Sequence, residues 1–177
     1  MNNWGVAIAY LDLDTFKLRV KELIVIHPDK SLSKSKKHRK STKDIAVVNS
    51  LFNQVLDVIE DADIVIAETP IGGRDANSAL AYAMCISVIS IINDFIENPV
   101  IEVSPFAVKD IVNKNASKED IISWAFAQHR EADWKFRKVN QQSVLVKKHA
   151  EHCSDAIAAL YAGSYTDQFN TTLEKFL

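Results

Sequence analysis

The stretch that decides the fold class is ADIVIAETPIGGRDANSALAYA, residues 62–83. Its apolar run at 64–67 is short, continuous and rich in β-branched residues, which predicts a strand that is covered on both faces and ends at Glu68. A Gly-Gly turn follows, and residues 77–96 are apolar nearly all round, which predicts a central helix packed between a sheet and a partner. A buried strand leading into a buried helix indicates an α/β layer fold.

The sequence on both sides of this stretch supplies the rest of the layers. Residues 4–10 and 17–26 are β-branched or aromatic and flank an acidic turn, so they predict an antiparallel hairpin. Thr42 or Asp44 can cap a helix whose apolar residues recur at three- and four-residue steps. The remaining predicted elements are a strand at 100–103 and helices at 105–113, 117–129 and 144–161, the second with a capping box at its start. We therefore expect a mixed central β-sheet flanked by α-helices.

The totals fit one globular domain of residues 1–177, because 47% of the residues are apolar and 25% are charged. The formal net charge is −2, so any contact with nucleic acid needs a local concentration of Lys and Arg. The longest apolar run, residues 79–92, is shorter than a bilayer span and is interrupted by Ser residues. It predicts a buried helix and no membrane contact.

The sequence also predicts a cytoplasmic protein with reduced thiols. The N-terminus has no charged segment followed by an apolar stretch and a small-residue cleavage site, so we expect no secretion signal. Cys85 and Cys153 belong to no CxxC pair. We expect both to be free thiols.

A basic, mobile loop is predicted at residues 28–43, which contain a Pro, several Ser and a run of cations with only Leu32 to anchor them. We predict that this loop reaches DNA phosphates without reading base sequence. The cations assigned to that contact are Lys34, Lys36, Lys37, Arg39 and Lys40. A loop that only keeps the protein soluble is the alternative, and both interpretations stay open.

Two acidic positions are candidates for chemistry. Glu68 ends the predicted buried strand, and ligands of open α/β sheets gather beyond the carboxyl ends of strands. His152 and Asp155 are three residues apart, so they share one face of a helix that continues with small apolar residues. A lone buried carboxylate is costly, and a divalent cation such as Mg²⁺ or Mn²⁺ would offset that cost. The alternative is an Asp155 that caps the helix, with His152 at the surface.

Three segments in order carry a resemblance to a known family. They are residues 62–83, residues 101–121 (IEVSPFAVKDIVNKNASKEDI) and residues 151–160 (EHCSDAIAAL). Together they resemble the RuvC-type Holliday junction resolvases over residues 4–163: a strand ending in Glu, an Asn-Ser-Ala-Leu helix, a Val-Lys helix and a closing HxxD helix. The resemblance implies an RNase H-like fold and a homodimer that grips a four-way DNA junction. It also implies phosphodiester hydrolysis that depends on Mg²⁺, for which Mn²⁺ can substitute.

The same resemblance implies roles for particular residues. Glu68, His152 and Asp155 match the catalytic and metal-binding positions of the family. Lys109 and Lys118 match positions where lysines approach the scissile backbone, and we count Lys118 among the catalytic residues. Lys114 lies between these lysines as a further candidate for phosphate contact, with an ordinary solvated lysine as the alternative.

A second phosphate contact is predicted at the helix that follows the Gly-Gly turn. Arg74, Asn77 and Ser78 open that helix, where free backbone N–H groups favour anions. Simple helix capping is the alternative, and both interpretations stay open.

One part of the family pattern does not appear in the sequence. The family begins with a strand that ends in a catalytic Asp, just before the segment matched here by residues 1–6. That strand would be the central one, so we interpret Met1 as an internal methionine and expect weak metal binding and reduced activity without the Asp. Asp12 and Asp14 are the only early acids, and they fall in the hairpin turn, far from the expected site.

Three functional hypotheses follow. The first is a metal-dependent endonuclease of branched DNA. The second is a non-catalytic module that binds branched DNA on the same scaffold, motivated by the missing Asp. The third is a zinc-binding regulator that uses His149, His152 and Cys153, although this cluster supplies few ligands at short spacing.

Overall fold

The computed structural model describes residues 3–29, 31, 36–73 and 75–177, which form both strands and helices. The strands are β1 (Trp4–Asp12), β2 (Lys17–Ile26), β3 (Ile66–Glu68), β4 (Ile101–Val103), β5 (Phe136–Val139) and β6 (Gln142–Leu145). The helices are α1 (Lys40–Ile59), α2 (Ala76–Asn93), α3 (Pro105–Asp110), α4 (Lys118–Gln128), α5 (Lys147–Ser164) and α6 (Asp167–Leu173), and a short 3-10 turn, Glu174–Phe176, follows.

The strands form pairs. β1 and β2 are antiparallel with Trp4 opposite Ile26, which confirms the predicted hairpin, and β3 and β4 are parallel with Glu68 opposite Val103. β5 and β6 form a second antiparallel hairpin that the sequence did not predict. In the described part of the chain these are three two-stranded sheets, where one continuous mixed sheet was predicted. The difference arises because no described strand lies between β1 and β3.

The central helix is α5, and the prediction that residues 77–96 fill this role is wrong. Helix α5 contacts the β1–β2 sheet and the β3–β4 sheet, as well as α3, α4 and α6. Its small residues allow this close packing, and a Cβ on Gly5 of β1 would lie 1.9 Å from the carbonyl oxygen of His152. By contrast, α2 buries only Val88, Ile89 and Ile92.

Helix α2 therefore keeps much of its apolar surface exposed. Among the described residues it is the one helix that is long and apolar enough to cross a membrane, with a mean hydropathy of 1.5. Core helices of soluble proteins share this length and apolarity. The buried helix predicted from its composition is thus buried along one side only.

Several predicted boundaries shift for local reasons. Helix α1 begins at Lys40, with Arg39 as an N-cap that makes no side-chain hydrogen bond, so the predicted caps at Thr42 and Asp44 are wrong. Helix α5 begins at Lys147 and not at 144, because the preceding residues pair with β5. The capping box at the start of α4 is confirmed, with Ser117 and Asp120 bonding reciprocally.

Candidate active site

Glu68 occupies the end of β3 and is held there by its neighbours. The Thr69 N–H donates to the Val103 carbonyl oxygen at 2.9 Å, so the pairing with β4 continues just past Glu68. The Glu68 side chain is partly buried, and its pKa is raised first by burial and then by the negative charge of Asp155. Lys109 acts in the opposite direction. The predicted carboxylate at a strand end is therefore present and lies near a second one.

Asp155 lies on α5, two turns after the start of the helix, and not at an N-cap position. Burial raises its pKa to about 6, with a further increase from Glu151, while Lys118 and Lys109 lower it. Asp155 and Glu68 line one cavity of about 410 Å³, together with Lys109 and Lys118. The alternative of a capping Asp155 is excluded by this position.

The lysines of the cavity come from α3 and α4. Lys118 forms an ion pair with Glu151 of α5, and this bond is the main reason that the pKa of Lys118 is raised. A second ion pair, Lys147 Nζ to Glu119 Oε1 at 2.6 Å, also joins α5 to α4. Lys114 lies in the turn between α3 and α4, exposed and outside the cavity lining. The sequence analysis did not single out Glu151, which lies one helical turn before Asp155, pairs with Lys118 and raises the pKa of Asp155.

His152 does not line this cavity. Its Nε2 lies 3.4 Å from Nδ2 of Asn3, whose Oδ1 is 2.8 Å from Nδ1 of His27. Two residues that are three positions apart on a helix differ by about 60° around its axis, so His152 and Asp155 face different neighbours. The backbone of α5 at His152 packs against Gly5 of β1. Burial lowers the His152 pKa, which favours the neutral ring.

The predicted set of three metal ligands is therefore not gathered in one place. Within residues 3–29, 31, 36–73 and 75–177, no group of three or more His, Cys, Asp and Glu side chains could hold a metal ion. The pair of Glu68 and Asp155 remains. Mg²⁺ is commonly held by one or two carboxylates together with water and substrate phosphates, so this partly buried pair fits Mg²⁺.

The predicted zinc site fits less well. The Cys153 Sγ lies 3.5 Å from Nδ1 of His149, but no third His, Cys, Asp or Glu among the described residues joins them in a group that could hold a metal ion. Structural zinc sites use four ligands, and the third predicted ligand, His152, lies against Asn3 instead. Cys153 and Cys85 are both free, as predicted.

The other predicted phosphate contacts lie outside the cavity. The Asp75 carboxylate accepts hydrogen bonds from the N–H groups of Asn77 and Ser78 at 2.9 and 3.0 Å, so the capping alternative describes this helix start. Lys36, Lys37, Arg39 and Lys40 are exposed and precede or open α1. Arg74, Lys34 and Met1 lie outside the described residues.

Comparison with known proteins identifies the fold. No protein-family model matches the chain, and no curated protein sequence matches it significantly. Among solved structures, it is similar to Thermus thermophilus RuvC in complex with a Holliday junction substrate, with a TM-score of 0.64, 16% identity, and coverage of 96% of this chain and 91% of that one. A second Thermus thermophilus RuvC structure matches with a TM-score of 0.55, 15% identity and coverage of 98% and 89%. The chain therefore has the RNase H-like α/β fold of RuvC, which confirms the fold class expected from its ordered motifs.

Proposed function

We propose that this protein is a metal-dependent endonuclease that cuts branched DNA, in the manner its resemblance to RuvC resolvases implies. The observation that carries the proposal is the convergence of Glu68 and Asp155, which stand 87 positions apart in the sequence, in one cavity with two lysines. Buried carboxylates of raised pKa in a cleft are typical of functional sites.

The residues of the cavity divide into two chemical roles. Glu68 and Asp155 would hold Mg²⁺, or Mn²⁺ in its place, and the cation supplies Lewis-acid polarisation of a phosphate and activation of water when bound. Lys109 and Lys118 provide positive charge for a phosphodiester that enters the cavity. Lys118 is 67% exposed beside Glu151, so it can exchange that carboxylate for a phosphate oxygen.

The wider surface fits a branched DNA substrate bound by a homodimer. Leu80 and Ile91 of α2 are 37% and 38% exposed, and this apolar side is the part we assign to a second copy of the chain. The cations at the start of α1 and Lys114 are assigned to the phosphate backbone. His152 is assigned to proton transfer, which requires that its ring leave Asn3.

The test is a cleavage assay on a four-way junction in the presence of Mg²⁺. Glu68→Gln and Asp155→Asn should each abolish cleavage while junction binding survives. Glu102→Gln is the matched control, because Glu102 lies opposite Ala67 in the neighbouring strand and its side chain is exposed. Cleavage that persists in Glu68→Gln would refute the assigned site.

A non-catalytic module that binds branched DNA is the second candidate. It is favoured by the observation that no third metal ligand joins Glu68 and Asp155 among the described residues. The same assay separates the two candidates. Junction binding by the wild-type chain without cleavage in Mg²⁺ or Mn²⁺ would support the module and overturn the nuclease.

A further inference from the structure

The hairpin of β5 and β6 projects from the body of the protein. Its two-residue turn places Asn140 and Gln141 at φ values of 47° and 65°, the left-handed conformation at both positions that matches a type I′ turn. All four residues of β5 are exposed, as are the first three of β6. The sheet has no further strand in the described part of the chain.

The base of this hairpin is firmly anchored. Trp134 is 6% exposed and its Nε1 donates to the His129 carbonyl oxygen at 2.7 Å. The Leu23 N–H donates to Oδ1 of Asp133 at 2.7 Å, which ties the base to β2. The Val146 N–H closes the base by donating to the Lys135 carbonyl oxygen at 2.8 Å. A projecting pair of strands on a fixed base is preorganised for contact with a partner.

The two faces of the hairpin differ. Phe136 stands opposite Leu145, and this face points to the body, where the Phe136 and Phe126 rings lie 6.3 Å apart. Arg137 stands opposite Val144 and Val139 opposite Gln142, so these four side chains share the other face. Val139 and Val144 are 40% and 42% exposed there. The outer face thus combines a guanidinium, an amide and two short apolar side chains.

The charge of this region is all positive. Residues 134–150 contain Lys135, Arg137, Lys138, Lys147 and Lys148 and no Asp or Glu, in a chain whose net charge is −2. Among the described residues, Lys147 alone of these five forms an ion pair, with Glu119. Arg137 and Lys138 are therefore exposed cations that no carboxylate of the described chain neutralises.

We propose that the outer face and tip of the β5–β6 hairpin bind the phosphate backbone of a DNA arm beside the cleavage site, an inference that rests on the proposed function. The hairpin leads directly into α5, the helix that carries Asp155. Asp155 lies about 12 Å along α5 from its start, and four strand residues add about 13 Å. At about 3.4 Å per base pair, the contacts fall within about seven base pairs of the scissile phosphate. Arg137 contacts phosphates from the outer face, and Lys138, which shares the opposite face with Phe136, contacts them at the tip. Val139 and Val144 pack against the sugars.

The test compares two hairpins of the same protein. The double substitution Arg137→Gln with Lys138→Gln removes two cations from β5, and Lys17→Gln with Arg19→Gln removes the same two residue types from β2. The control pair stands opposite Asp12 and Tyr10, at the end of β1 remote from Gly5 and His152. Junction affinity is measured by fluorescence anisotropy over a salt series, with Ca²⁺ in place of Mg²⁺ to prevent cutting.

We expect the β5 variant to lose about 5- to 10-fold in affinity and to reduce the slope of log K against log salt by about 1 to 2, while the control changes less than about twofold. Hydroxyl-radical footprints of the β5 variant should lose protection within about seven nucleotides of the cut. Circular dichroism melts verify that both variants fold.

The outcomes separate the two proposals. A wild-type chain that neither binds nor cuts junctions overturns the proposed function and the hairpin contact with it. Wild-type binding that the β5 variant retains in full, with an unchanged salt slope, overturns only the hairpin contact. Equal losses in the β5 variant and the control also overturn it, because net charge would then explain both.

Discussion

Lys118 of α4 and Glu151 of α5 form an ion pair one helical turn before Asp155. The pair places a cation beside the acidic cavity while its own carboxylate raises the pKa of Asp155. Lys118 therefore lowers the pKa of Asp155, and Glu151 raises it.

Removing the charge of Glu151 should lower the pKa of Asp155. In Glu151→Gln the carboxylate that raises this pKa is lost, and Lys118 is released to interact with Asp155. Carboxyl-carbon NMR titration measures the change. Glu119→Gln is the control, because it breaks the neighbouring ion pair with Lys147 and should leave Asp155 unaffected. An Asp155 pKa that rises or stays the same in Glu151→Gln would contradict the assignment.

The stability of the metal-free protein should depend on the protonation of Asp155. Its pKa is about 6 in the folded chain and near 3.8 when unfolded. Between these values the folded chain holds an extra proton, so stability is lost as the pH rises from about 4 to 6 and is not regained above that range. Asp155→Asn removes this loss, and we expect it to exceed wild type by about 2–3 kcal/mol at pH 8 and to match it below the unfolded pKa.

Urea unfolding at several pH values measures this difference. Adding Mg²⁺ at pH 8 should raise the melting temperature of the wild type but not that of Asp155→Asn, since only the carboxylate binds the cation. A variant less stable than wild type at pH 8 without metal would show that the carboxylate is already compensated.

Gly5→Ala should separate β1 from α5. The added Cβ would lie 1.9 Å from the His152 carbonyl oxygen, and both groups belong to backbone that cannot rotate away. We expect a loss of at least about 2 kcal/mol in the free energy of unfolding, together with reduced junction cleavage. Gly72→Ala is the comparison variant, because the Cβ added there meets nothing within 4 Å. Any loss of stability in that variant comes from the φ of 58° alone. A Gly5→Ala protein as stable as wild type would exclude the close approach.

Gln141→Gly should stabilise the protein. A glycine adopts the φ of 65° without the steric cost that Gln bears there, so we expect a gain of about 0.5–1 kcal/mol. Gln142→Gly is the matched control, because it lies within β6 and should lower stability instead. Thermal melts distinguish the two. Equal effects from both substitutions would mean that the turn is not of this type.

The sequence predicted the elements whose signals are local. Alternating β-branched residues around an acidic turn identified the β1–β2 hairpin, and Ser117 with Asp120 identified the start of α4. The β5–β6 hairpin was missed because its strands are four residues long and its turn contains no glycine. The strand pattern of β6 was weaker than the helical pattern that follows it, so the predicted helix was extended back to residue 144.

The site was only partly predictable for a related reason. The spacing of His152 and Asp155 fixes the angle between them on α5, but not which neighbour each one faces. That choice depends on the approach of β1 at Gly5, which is a contact between residues 147 positions apart. Likewise, the all-apolar composition of α2 could not reveal that α5, with smaller side chains, is the helix at the centre.

Helix α5 also sets how freely this sequence can vary. Ala150, Ala158, Ala159 and Ala162 are each no more than 7% exposed and belong to the buried clusters around α5. Because such interiors are close-packed, a larger side chain there would have to displace its neighbours. In a saturation-mutagenesis library, these positions should tolerate little beyond Gly and Ser, while the outer positions of β5 accept most polar residues. Among homologous sequences, substitutions would then be most frequent in the β5–β6 hairpin and rare at these four alanines of α5.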